Sequence, residues 1–151
     1  MSLLEDRLDI IDTCTRMGWH ADRREWDLLK EVFAEPVTLD YTSLNGGEPV
    51  ELSPAQIAGA WQGVLGNFEA TQHLIAGHLV TVLGDTAVCT ANFQAAHRLA
   101  NPFGSPLWTL GGTYRWTLAR TGDGWRITAV VMTATWAEGN KDLMTLAAGA
   151  R

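Results

Sequence analysis

The chain has 151 residues, 46% hydrophobic and 19% charged, with a net charge of −6. These values predict a single folded domain over residues 1–151 and exclude a disordered chain. No basic patch invites a nucleic acid, no apolar run reaches the ~18 residues a membrane helix needs, and the acidic start lacks the cationic stretch of a secretory leader. Cys14 and Cys89 lie far apart and form no C-x-x-C pair, which predicts two buried thiols in a cytoplasmic protein.

Residues 3–23 carry apolar side chains at helical spacing: Leu4, Leu8, Ile11, Thr15 and Gly18 form a stripe, with Ile10, Cys14, Met17 and Ala21 beside it. A second helix is expected over 25–34, ended by Pro36. Val37 to Thr42 alternates as a strand, Asn45-Gly46-Gly47 reads as a turn, and Ser53-Pro54 opens a helix that ends near Gly66. The second half is sheet. Strands are expected over 73–83, 86–99, 108–120 and 125–136, joined by tight turns at Gly84-Asp85 and Thr121 to Gly124 and by a loop over 101–106. A short helix or tail follows from Asn140. Helices followed by a long meander predict an α+β fold, a curved sheet packed against N-terminal helices so as to enclose a pocket.

Four side chains could carry chemistry. His97 shares its strand parity with Ala91, Phe93 and Ala95, so period two turns it inward unless a bulge intervenes. Asp22 extends the apolar stripe of the first helix, where a carboxylate is either in water or buried with a partner. An imidazole is a suitable partner, since a carboxylate orients it and raises its basicity. Both Asp22 and His97 project from apolar faces, which favours their pairing, although residue order leaves the choice of histidine open. Tyr41 shares a face with Val37 and Leu39 and needs a partner for its hydroxyl. His73 begins a strand, with His78 on the opposite face, and His20 is expected in solvent. Seven Trp in so short a chain suggest an aromatic-lined cavity, with Trp19, Trp26, Trp61, Trp108 and Trp136 as wall candidates. Phe93 and Thr113, on the later strands, join them as substrate-binding candidates.

The segments Asp22-Arg23-Arg24-Glu25-Trp26-Asp27, Leu39 to Ser43, Thr71-Gln72-His73 and Phe93 to Arg98 resemble the SnoaL-like branch of the nuclear-transport-factor-2-like superfamily. Within it the chain resembles the scytalone dehydratase type. That resemblance implies a cone-shaped, curved mixed sheet and removal of water from a hydroxylated ring ketone without metal or cofactor. It implies that Asp22, Tyr41, His73 and His97 are the catalytic set, with one histidine as base and one as acid. It also implies a homo-oligomer, a trimer or a dimer. Two features depart from the pattern: Ala21 stands where the dehydratases carry a second tyrosine, and Gly111 and Thr113 replace polar Ser and Asn. The expected activity is therefore a lyase or isomerase acting on a small cyclic or aromatic ketone, not on scytalone itself. Two rivals share these residues: a binding or subunit module of the same fold, and a metal enzyme using His73, His97 and Asp22 as a facial triad.

Overall fold

In the computed structural model, which describes residues 2–149, the first helix α1 spans Leu3–Arg23. Ser2 caps it reciprocally with Glu5, and Arg24, at φ 59°, turns the chain out of it. Its buried face runs through Asp6, Ile10, Cys14, Met17, Gly18 and Ala21. That face is rotated from the expected stripe, for Leu4 and Leu8 are exposed. Apolar residues cover more than half the circumference of this helix, and only packing decided which of them are buried. Asp6, expected outside the stripe, is 4% exposed because Arg120 binds both of its oxygens and the Trp125 indole donates to it.

The expected helix over 25–34 is a single short one, α2 (Trp26–Lys30), and strand β1 (Phe33–Asp40) begins ahead of Pro36. Pro36 is tolerated there because β1 breaks its register with the neighbouring strand between Phe33 and Thr38, so no ladder donor is missed. One helical turn, α3 (Thr42–Asn45), precedes the glycine turn, and a short strand, β2 (Val50–Leu52), pairs back onto β1. Helix α4 (Pro54–Leu65) starts on a Ser53–Gln56 capping box. Four long strands follow: β3 (Ala70–Leu83), β4 (Thr86–Arg98), β5 (Leu107–Thr121) and β6 (Gly124–Gly139). Helix α5 (Leu143–Gly149) ends the described chain.

The sheet is six-stranded, open and mixed, in the order β2-β1-β6-β5-β4-β3. The last four strands form the expected antiparallel meander, and β1 joins it parallel to β6. One face packs against α1 and α4. Two tryptophans, Trp116 and Trp125, are sealed in this core at 0% exposure, so part of the tryptophan content serves packing. Among the described residues, no helix is long and apolar enough to cross a membrane.

Candidate functional site

The inner face of the sheet, α1, α3 and α4 enclose a cavity of about 260 Å³. It is lined by Met17, Gly18 and Ala21 of α1, by Tyr41, Leu44 and Asn45, by Trp61, Val64 and Leu65 of α4, and by His73, Phe93, His97, Trp108, Leu110, Tyr114, Met132 and Met144. None of these residues carries a formal charge at neutral pH unless a histidine is protonated.

Asp22, in the last turn of α1, stands directly behind His73. Its Oδ1 accepts from His73 Nδ1 at 2.7 Å and from the Thr71 hydroxyl at 3.0 Å, and its Oδ2 accepts from the His73 backbone N–H at 2.6 Å. Both side chains are largely buried, at 18% exposure for Asp22 and 11% for His73. The carboxylate is thus neither in water nor on His97, as the apolar-face argument favoured. The β-ladder explains this: Thr71 and His73 lie on the same face of β3, two residues apart, so one carboxylate bridges both. Donation from Nδ1 fixes the tautomer and leaves Nε2 of His73 with its lone pair free.

Gly18 makes this approach possible. A Cβ there would stand 3.0 Å from His73 Cβ and 2.9 Å from Ile75 Cδ1. Gly18→Ala is therefore expected to displace His73 from the helix and to lower any activity by roughly tenfold to a hundredfold. The melting temperature should change little, because Ile75 can swing its terminal methyl aside; kinetics beside a thermal melt checks both.

His97 is 3% exposed, on the inner face of β4 beside the Phe68 and Trp108 rings. Its Nδ1 lies 3.2 Å from the Trp108 carbonyl, which can only accept, so Nδ1 carries the proton and Nε2 does not. Burial, reinforced by the neighbouring His73, pushes its pKa down to about 4, so His97 is neutral near pH 7. The two imidazole rings are 6.1 Å apart, edge to face.

Tyr41 follows β1 directly, at the start of α3, and is held by the turn around it. Asp40 accepts from the backbone and hydroxyl of Thr42, and the Ser43 hydroxyl links Met132 and Ala134 of β6. Tyr114 lines the same cavity from β5 and packs on Phe93. Burial, with each phenol near the other, pushes the Tyr41 hydroxyl well above its ordinary value, and burial likewise raises that of Tyr114. Both are neutral donors.

The other expected wall residues divide. Trp61, Phe93 and Trp108 line the cavity. Trp26 lies beside Gln62, on a side of α4 that does not line it. Thr113 has the outward parity of β5, opposite to Trp108, Leu110 and Tyr114. Trp136 is turned out by the bulge between Gly111 and Gly112 and lies over Gly111, where a Cβ would come within 2.1 Å of its indole. Trp19 is 58% exposed under Arg23. A bulge at Gly77, φ +74°, also reverses parity in β3, so His78 faces inward and stacks on Trp116 rather than lying opposite His73. His20 is mostly buried, 3.3 Å from Glu25. Tyr114 was the residue missed, although it shares the parity of Trp108, Leu110 and Trp116.

The donor set does not suit a facial triad. Both Asp22 oxygens are turned to His73 and Thr71, so the carboxylate does not converge with the two Nε2 atoms. Among the described residues, no group of three His, Cys, Asp or Glu is placed to hold an ion.

A family profile described as the SnoaL-like domain matches residues 2–131. The chain belongs to the SnoaL-like family. Protein Rv2910c of Mycobacterium tuberculosis is 31% identical over 128 residues, covering 82% of each chain. The crystal structure of Kfla4162 from Kribbella flavida superposes with a TM-score of 0.90 at 34% identity, over 95% of this chain and 99% of that one. A candidate scytalone dehydratase from Novosphingobium aromaticivorans superposes with a TM-score of 0.78 over 91% of this chain and 89% of that one, at 18% identity, a likeness of fold.

Proposed function

We propose that this SnoaL-like protein is a cofactor-independent lyase or isomerase that removes a proton next to a carbonyl, with loss of a β-hydroxyl as the favoured outcome. The observation that carries this reading is the buried Asp22–His73 pair at 2.7 Å, at the wall of an apolar cavity. A carboxylate-oriented imidazole is a general base, because the carboxylate stabilises the imidazolium formed when the base takes a proton.

His73 Nε2 takes the Cα proton, and the enolate oxygen accepts a hydrogen bond from Tyr41 as charge develops. The C=C bond forms as the β C–O bond breaks, and the proton held on His73 leaves with the hydroxyl as water. His97 is not the acid that the resemblance implies: its Nδ1 proton is tied to Trp108, and it does not hold a second proton near pH 7. Its free Nε2 accepts instead from a substrate hydroxyl and orients it.

The lining supports a neutral substrate, since no lysine or arginine faces the cavity. A dry apolar cavity of ~150 Å³ holds benzene, so 260 Å³ suits one or two rings. The outer sheet face exposes Leu74 and Trp136, which supports a homo-oligomer built on that face. The test is incubation with neutral cyclic β-hydroxyketones in D₂O, followed by NMR. Deuterium entry at Cα with loss of water supports the proposal. Tight binding with neither exchange nor elimination is the result expected of a binding module and would overturn it.

A further inference from the structure

We propose that Tyr114 is a second donor to the substrate oxygen, forming with Tyr41 a paired-phenol pocket for an enolate or phenolate. This rests on the reading above but reads out on binding alone. Tyr114 is 4% exposed, yet it lines the cavity together with Tyr41. The two phenols are near enough to perturb one another's ionisation. Neither hydroxyl has a partner among the described residues beyond the other phenol. Both phenols line the cavity, so each hydroxyl can turn from the other to an oxygen placed there.

Buried hydroxyls seldom go without acceptors, because the missing bond costs free energy. Here the acceptor is supplied by the ligand. Hydrogen bonds to a charged oxygen are the stronger kind, so two phenols discriminate in favour of an oxyanion over a neutral ring of the same size. The surroundings sharpen this choice. Phe93, Leu110 and Met132 offer no competing donor or acceptor side chain, and the aromatic packing of Tyr114 on Phe93 and Trp116, with centroids at 4.5 and 5.0 Å, holds its ring in place. The class of ligand is thus a neutral ring carrying one oxygen that becomes, or already is, anionic.

The test uses para-nitrophenol, whose ionised form is coloured, and nitrobenzene, the same ring without the hydroxyl, in the wild type, Tyr114→Phe, Tyr41→Phe and the double variant. His73→Ala serves as a background in which turnover is strongly slowed. The expected result is that Tyr114→Phe weakens the phenolate by about tenfold to a hundredfold and leaves nitrobenzene within about twofold. The effects of Tyr41→Phe and Tyr114→Phe should be non-additive, as for two donors to one atom. The proposal is overturned if Tyr114→Phe binds phenolate as the wild type does, if it loses both probes alike, or if the wild type does not prefer phenolate to nitrobenzene. A failure of the acid–base reading would look different: no proton exchange in any ketone, with phenolate still held by both tyrosines.

Discussion

Replacing His73 by alanine is expected to lower turnover of a true substrate by about 10²–10⁴-fold. Asp22→Asn should lose a comparable factor, and the double variant should be no slower than His73→Ala alone. The reason is that Asp22 acts through His73: its two oxygens are spent on the ring, the backbone N–H and the Thr71 hydroxyl. An asparagine keeps one accepting oxygen but turns its amide NH₂ toward a donor, the His73 backbone N–H or Nδ1–H, and no longer stabilises the imidazolium, so the base is both weakened and held less firmly. Groups that act as a unit are non-additive in this sense. Steady-state kinetics on the four proteins, with circular dichroism to check the fold, measures it. Full activity in either single variant would remove the dyad from the mechanism. Losses that multiply in the double variant would mean two separate roles.

The stability of the protein should fall as the pH is lowered from about 6.5 to about 4, and His97 should account for roughly 3 kcal/mol of that fall. The sign follows from burial. In the folded protein His97 resists protonation until about pH 4, whereas in the unfolded chain it takes a proton near its ordinary value of 6.5. Between those values the unfolded state binds more protons, so stability drops with pH. The contribution is fully present above 6.5, is lost progressively on the way to 4, and does not change further below. Urea unfolding at a series of pH values, wild type against His97→Leu, isolates it. The variant loses the bond to the Trp108 carbonyl at every pH, which offsets its curve without tilting it. The expected outcome is a flatter curve for His97→Leu over that window. Parallel curves would mean that His97 is not held neutral by the fold.

The two regions differ in how readable they were. In β4 a strict alternation from Ala87 to His97 has no interruption in the structure, so period two placed Phe93 and His97 on the inner face correctly. In β3 the same rule failed beyond Gly77, because the strand carries a bulge that reverses parity, and a bulge in β6 likewise turned Trp136, a wall candidate, outward. The glycines that permit those bulges are visible in the sequence, but glycine marks a bend, a bulge or a close approach without saying which. Thr113 and Tyr114 show the cost of neglecting parity where it did hold. They are adjacent, only one can face the cavity, and the apolar company of Trp108, Leu110 and Trp116 already pointed to Tyr114.

The chain by itself determined the order and type of the long elements. Amphipathic periods, the Ser53-Pro54 helix start and the tight turns of the meander are local signals that survive without knowledge of the fold. Its motifs also marked out the SnoaL-like family. Only the tertiary structure decided that Asp22 serves His73 and not His97. That choice rests on a contact between residues 22 and 73, set by Gly18 letting β3 press against α1 and by Thr71 and His73 sharing one strand face. Residue spacing encodes neighbours along one element. Which element comes to lie against which, and at what closeness, is settled by packing the whole chain.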